Sequence, residues 1–170
     1  MTQSAKVLVA GLGSAHGDDR AGWLAAEKLA AECRDDPDIT VRKATIPLDV
    51  LDWLEGIEIL HVCDACEATH GQRKLHRFTW DAGQLVHADN SIDADRHATL
   101  RTLRSGGSHD FGLPDVLRLA AEIQQLPKQV IIWAIEGTGF QPEDKMTDKT
   151  RSAVSQAVRE ILKEWRVPYA

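Results

Sequence analysis

The stretch KVLVAGLGSAHGDDRAGWLAAEKLAAEC, residues 6–33, decides the fold of this chain. Its first part, Lys6–Leu12, is a short and almost continuous apolar run, which is typical of a strand buried on both faces. After a turn that contains glycine, apolar residues recur at helical spacing over Gly22–Cys33. Asp18 and Asp19 stand where acidic residues favour the start of a helix. The stretch therefore predicts a strand, a loop and a helix, which together form the basic unit of an α/β fold.

The remainder of the chain continues this alternation. Short apolar or alternating runs predict four further strands, at Ile39–Thr45, Ile57–Cys63, Gln72–Trp80 and Val130–Ile135. Apolar stripes predict helices at Leu113–Ile123 and Val154–Trp165, and the segment from Pro47 predicts a short helix. We therefore expect one domain over residues 1–170, a three-layer α/β fold with a mostly parallel five-stranded sheet flanked by helices. In that sheet Gln72–Trp80 is expected to be a half-exposed edge strand, and the polar residues Leu85–Ser108 are expected to form a long excursion.

Composition and charge exclude several classes of protein. The 170 residues include 20 Lys and Arg against 26 Asp and Glu, a net charge of -6, which disfavours binding to nucleic acid. No apolar run is long enough for a membrane span, and the polar start does not resemble a secretory signal. Three cysteines are too few for a disulfide framework. The sequence therefore predicts a cytoplasmic protein that binds neither membrane nor nucleic acid.

Ligands of open α/β sheets bind outside the carboxyl ends of the strands, and three segments fall there in the predicted sheet. They are Gly11–Gly22, which contains Asp18 and Asp19; Asp64 in CDAC; and Ser105–Asp115, in which glycines surround His109. Two carboxylates and one imidazole that converge at this edge would form a site for a borderline divalent metal. Such a site suits metal-assisted hydrolysis. His16 is the second choice for the imidazole.

Other interpretations of these residues remain open from the sequence. Dinucleotide binding is disfavoured, because Gly17 falls one residue late for GxGxxG and two carboxylates stand where a pyrophosphate would bind. One of the paired aspartates caps the helix and the other faces its dipole, if their role is structural. Asp64 is then an aspartate that accepts hydrogen bonds from backbone amides at a strand end. Cys63 and Cys66 are expected to be core residues and not joint metal ligands.

At the same three segments the chain resembles the maturation endopeptidases of [NiFe] hydrogenases. The matching stretches are VLVAGLGSAHGDDRAGW, HVCDA, SHDFGLPDVLRLA and LPKQVIIWAIEG, which are ordered over residues 6–137. The resemblance implies an α/β sheet of the phosphorylase/hydrolase-like type and a single hydrogenase maturation protease-like domain. It also implies an aspartyl endopeptidase-like hydrolase that removes the C-terminal extension of a hydrogenase large-subunit precursor after nickel insertion.

The resemblance also implies which residues contact the metal. The family's two acidic positions and its histidine correspond to Asp19, Asp64 and His109, which are thereby implied as the catalytic and metal-contacting residues. The nickel would belong to the large-subunit precursor, the partner protein, and no permanent cofactor is expected. The family pattern also implies two possible roles for Asp18, orienting the loop or acting as an outer base.

Three features depart from the family pattern. Ser14 replaces a common asparagine, the loop before Gly17 is one residue short, and Arg20 follows the acidic pair where a small residue is usual. Arg20 favours the alternative that the chain is a non-catalytic nickel-binding or scaffold protein of hydrogenase maturation. A third hypothesis is a small-molecule hydrolase or nucleotide binder, whose ligand affinity would survive replacement of the three site residues.

Overall fold

The computed structural model describes residues 5–68, 73–88 and 112–166. These ranges contain six strands, two short 3-10 helices and three α-helices. The strands are β1 Val7–Leu12, β2 Ile39–Ala44, β3 Ile59–Glu67, β4 Leu75–Asp81, β5 Gln84–His87 and β6 Gln129–Gly137. The α-helices are α1 Ala21–Glu32, α2 Leu113–Glu122 and α3 Asp148–Arg166, and the 3-10 helices are Gly17–Arg20 and Pro47–Trp53.

The six strands form one sheet in the order β2-β1-β3-β6-β4-β5. The first four strands in this order are parallel, and β4 and β5 are antiparallel to their neighbours. The expected three-layer, mostly parallel fold is confirmed, but the expected number of five strands is wrong. Ala82 and Gly83 have positive φ angles of 47° and 80°, which turn the chain back so that Gln84–His87 pairs with β4. The fourth strand is therefore not the edge of the sheet.

Two apolar layers cover the two faces of this sheet. Alternate residues of β1 show the division, since Val7 and Val9 pack in one cluster and Leu8 and Ala10 in the other. The first cluster includes α1 and α3, and the second includes α2 and the 3-10 helix Pro47–Trp53. These buried faces explain why β1, β3 and β6 are nearly continuous apolar runs in the sequence.

Glycine at position 22 allows α1 to approach the sheet closely. A Cβ atom at Gly22 would lie 2.1 Å from the carbonyl oxygen of Leu12 and 2.4 Å from that of Cys63. Both are backbone atoms of central strands, so neither can move aside cheaply. The start of α1 is thereby held against the ends of β1 and β3, where the candidate site lies.

We expect Gly22→Ala to lower the free energy of unfolding by about 3 kcal/mol, because the added methyl group overpacks the contact between helix and sheet. Helix propensity alone predicts the opposite sign, a gain of about 1 kcal/mol. Ala30→Gly, at an exposed position of the same helix, is the control for propensity. Urea denaturation of both variants measures the effect, and a Gly22→Ala protein as stable as the wild type would disprove the steric argument.

Candidate functional site

The candidate site lies where the chain connections diverge between β1 and β3. From β1 the chain passes through α1 to β2 on one side, whereas from β3 it passes to β4 on the other side, beyond β6 in the sheet. Such a switch point leaves a crevice outside the carboxyl ends of the two strands, which is where α/β proteins bind ligands. Asp19 lies in the 3-10 helix that follows β1, and Asp64 lies on β3.

The sequence had suggested that Asp64 follows the third strand, but in the structure Asp64 lies inside β3. The strand continues to Glu67, but β1 pairs with β3 only as far as Cys63. On the side of β1, Asp64 therefore has no paired residue in the described part of the chain, and the 3-10 helix Gly17–Arg20, which follows β1, contacts β3. On the other side Asp64 is paired with Ala134 of β6. The segment containing Asp19 thus follows the point at which the pairing of β1 with β3 ends, and its charge acts on Asp64.

The electrostatics of Asp64 are set by its burial and by a neighbouring carboxylate. Burial, together with the nearby negative charge of Asp19, raises the pKa of Asp64 well above its ordinary value, and a hydrogen bond from the Ala65 backbone offsets this only in part. Two carboxyl groups placed together repel each other unless a proton or a positive ion lies between them. The pair Asp19 and Asp64 therefore has the chemistry expected of a divalent-metal site.

Asp18 has a structural role that differs from helix capping. Its side chain is 0% exposed, and its carboxylate accepts hydrogen bonds from the backbone N–H groups of Thr138, Gly139 and Thr147 at 2.8, 3.0 and 2.7 Å. The Thr147 hydroxyl donates to the same carboxylate. Although burial alone would raise the pKa of Asp18, these donors outweigh it and lower the pKa. Asp18 therefore orients the loop, and its saturated, stabilised carboxylate is poorly suited to act as a base.

The backbone around Asp18 is fitted to the same contact. Gly17 has a φ angle of 48°, and a Cβ atom there would lie 2.2 Å from the carbonyl oxygen of Gly139. The backbone N–H of Asp18 donates to that oxygen at 2.7 Å. The loop after β1 is consequently attached to the segment between β6 and α3, which fixes the position of the neighbouring Asp19.

Arg20 does not neutralise the acidic pair. Its guanidinium group lies 3.4 Å from the carboxylate of Glu27, and its side chain is 48% exposed. Lys43 binds the other oxygen of Glu27 at 2.9 Å. Arg20 is thus directed along the surface of α1, while His16 lies exposed in the loop before it.

The third residue implied by the family pattern, His109, lies outside the described residues, as do Asp110 and most of the glycines around it. The described chain resumes at Gly112, whose N–H donates to the side chain of Asp115 at 3.2 Å at the start of α2. No group of three or more metal-binding side chains occurs in the part of the chain that the structure describes. His109 therefore remains a prediction.

The two cysteines of CDAC are core residues, as expected, and His61 is also a core residue. Cys63 packs with α1 and α3 and Cys66 packs with α2, so the thiols point to opposite faces of the sheet. Burial raises the pKa of Cys63 to about 12 and that of Cys66 further. His61 is buried between the indole N–H groups of Trp133 and Trp165, and burial lowers its pKa to about 3.

A further pair near this edge, His76 and Glu136, was not predicted from the sequence. Nε2 of His76 lies 2.7 Å from Oε1 of Glu136, and their side chains are 11% and 1% exposed. The signal that identifies Glu136 is its position as the acidic residue in the apolar run VIIWAIEG. His76 had no such signal, because it lies in a polar, alternating stretch.

The fold and this edge define a class, the three-layer α/β proteins with acidic side chains at the switch point of a mostly parallel sheet. No protein-family model matches the sequence, and no curated protein matches it significantly. Solved structures do match. The fold of this chain is that of the hydrogenase maturation proteases.

Three of these structures illustrate the likeness. The hydrogenase maturating endopeptidase HybD from E. coli is 17% identical with a TM-score of 0.66, and the match covers 95% of this chain and 92% of that one. The maturation protease HycI from Thermococcus kodakarensis is 15% identical with a TM-score of 0.65, covering 95% and 93%. The hydrogenase 2 maturation peptidase from a Thaumarchaeota archaeon is 22% identical with a TM-score of 0.60, covering 95% and 99%. Among the described residues of this chain, no helix is both long and apolar enough to span a membrane.

Proposed function

We propose that this protein is an endopeptidase of hydrogenase maturation, which removes the C-terminal extension of a [NiFe]-hydrogenase large-subunit precursor after nickel has been inserted. The observation that carries the proposal is the acidic pair Asp19 and Asp64 at the switch point of a fold shared with hydrogenase maturation proteases over 95% of the chain. The resemblance of the surrounding motifs to that family supports the same conclusion.

The nickel of the precursor is the substrate's own metal and would supply a positive charge between the two carboxyl groups. Asp19 and Asp64 provide two oxygen ligands, and His109 is proposed as the nitrogen ligand. A metal held jointly by precursor and protease would place the scissile bond at the site and lower the pKa of a bound water. The protein would therefore recognise only a precursor that has already received its metal.

The repulsion between Asp19 and Asp64 explains why this recognition can be selective. Without a cation, burial and the charge of Asp19 oppose the ionised form of Asp64. A divalent ion reverses this balance, because the carboxylate then gains a partner of opposite charge. Binding of the metal-loaded precursor is thus favoured over binding of the metal-free form.

The alternative of a non-catalytic scaffold rests on Arg20. Since Arg20 pairs with Glu27 on the surface of α1, it does not block the acidic pair, and this structural feature gives the scaffold alternative no support. The location of the reaction is proposed to be the cytoplasm.

We expect the purified protein to shorten a nickel-loaded large-subunit precursor at its C-terminus and to leave the metal-free precursor intact. Mass spectrometry of the precursor before and after incubation measures the loss. Asp35→Asn, an exposed aspartate remote from the site in the sequence, is the control and should cleave normally. Binding of the loaded precursor without any loss of mass would contradict the proposed protease and favour the scaffold.

A further inference from the structure

The pair formed by the part-buried His76 and the buried Glu136 has the geometry of an imidazole oriented by a carboxylate. The distance of 2.7 Å between Nε2 and Oε1 is typical of a strong hydrogen bond to an ionised acceptor. A carboxylate only accepts, so an ionised Glu136 requires the proton of the imidazole on Nε2 and leaves Nδ1 as the second ring nitrogen. Burying a carboxylate is costly without such a partner, so the pair is a built feature of the fold.

This pair lies on the same face of the sheet as Asp64. Ala134 of β6 is the direct neighbour of both Asp64 on β3 and His76 on β4, and directly opposed residues of a sheet project to one face. The α carbons of Asp64 and His76 are consequently two strand spacings apart, about 10 Å. Ala134, which is buried between them, carries only a methyl group, so no long side chain of β6 separates the two groups. Glu136 is opposite Cys66, two residues further along β3.

Peptide hydrolysis at this edge needs a group that moves a proton, and the other ionisable groups here have different roles. Asp19 and Asp64 are the proposed metal ligands. Asp18 accepts hydrogen bonds from Thr138, Gly139 and Thr147. Among the described residues of this face, His76 is the ionisable group that is partly exposed and oriented by a carboxylate.

We propose that His76 is the general base and acid of the cleavage, and that Glu136 is the positioning residue that holds its ring. This inference rests on the proposed function. His76 Nδ1 takes a proton from the attacking water as the water oxygen bonds to the scissile carbonyl carbon. The C–N bond then breaks, its electron pair remains on the amine nitrogen, and His76 returns the proton to that nitrogen. His76 ends the cycle neutral, and water has been divided between the two products.

The test compares single-turnover cleavage of nickel-loaded precursor by the wild type, His76→Gln, Glu136→Gln and the double variant. We expect His76→Gln to lower the rate constant by about 100-fold or more, with KM changed by less than about threefold, because acid–base catalysis acts on chemistry and not on binding. Glu136→Gln should cost about 10-fold or more. The double variant should be no slower than His76→Gln alone, since the two residues act as a unit.

His87→Gln is the matched control, because the His87 ring lies 5.7 Å from the His76 ring on the same face. It should cleave at close to the wild-type rate. A normal rate for His76→Gln in a preparation whose wild type cleaves overturns the role of His76 alone, whereas failure of the wild type overturns the proposed function. The role of His76 is also overturned if His76→Gln raises KM and leaves the rate constant unchanged. The same holds if His87→Gln loses activity and His76→Gln does not. If circular dichroism shows that His76→Gln does not fold, Glu136→Gln takes its place in the test. A lowered rate constant with KM nearly unchanged then supports the proposal, and an unchanged rate constant overturns it.

Discussion

Asp64→Asn is expected to abolish processing of the nickel-loaded precursor while leaving the protein at least as stable as the wild type. The amide has nearly the same shape but lacks the negative charge that a metal ligand must supply. Loss of a ligand should exceed the roughly 10- to 100-fold effect of losing an outer-shell partner of a metal. Precursor mass loss and thermal unfolding at neutral pH measure the two quantities.

The stability half of this prediction follows from the raised pKa of Asp64. Because the folded-state pKa is above the ordinary value of 3.8, ionisation of Asp64 opposes folding. The cost is absent below pH 3.8, grows as pH rises towards the folded-state pKa and is constant above it. Asp64→Asn removes this cost, so its advantage over the wild type should appear with rising pH. A variant that is destabilised at neutral pH, or that trims precursor at the normal rate, would contradict the assignment of Asp64.

Asp18→Ala is expected to have the largest effect on stability. The substitution leaves the buried N–H groups of Thr138, Gly139 and Thr147 without their acceptor, and disruption of a buried charged network costs about 3–5 kcal/mol. Chemical denaturation measures the loss. Asp144→Ala removes the acceptor for Gln141 N–H in the same connecting segment and should cost about 1 kcal/mol.

Asp18 should also make the wild type sensitive to acid. Its lowered folded-state pKa means that its contribution is present in full above the ordinary value of 3.8 and is lost as pH falls below that value through the folded-state pKa. The difference in stability between the wild type and Asp18→Ala should therefore shrink below pH 3.8. An Asp18→Ala protein as stable as Asp144→Ala would refute the structural role of Asp18.

The central strands were predictable because burial on both faces imposes a simple pattern. The runs in β1, β3 and β6 are almost wholly apolar, and the structure places all three in the middle of the sheet. The short strand Gln84–His87 was missed because four residues carry no clear period. Its pairing depends on the turn at Ala82 and Gly83, whose backbone angles the composition alone does not reveal.

The site was predictable only in part, because strand-end rules select segments but not the roles of neighbouring residues. Local rules assigned Asp18 and Asp19 to one helix start, yet the partners of Asp18 are 120 to 129 positions away in the sequence. His76 was given no role from the sequence for the same reason, since Glu136 is 60 positions away. Contacts of this range arise from the order of the strands, which the sequence pattern does not determine.

The most direct test of the account is a crystal structure of the wild-type protein soaked with nickel, with anomalous scattering used to locate the ion. The account predicts one peak at the crevice between β1 and β3, about 2 Å from carboxylate oxygens of both Asp19 and Asp64, with the His109 imidazole as a further ligand. The same soak of Asp64→Asn should lose the peak. A nickel ion bound only elsewhere in the wild type, or an empty crevice at saturating nickel, would contradict the account.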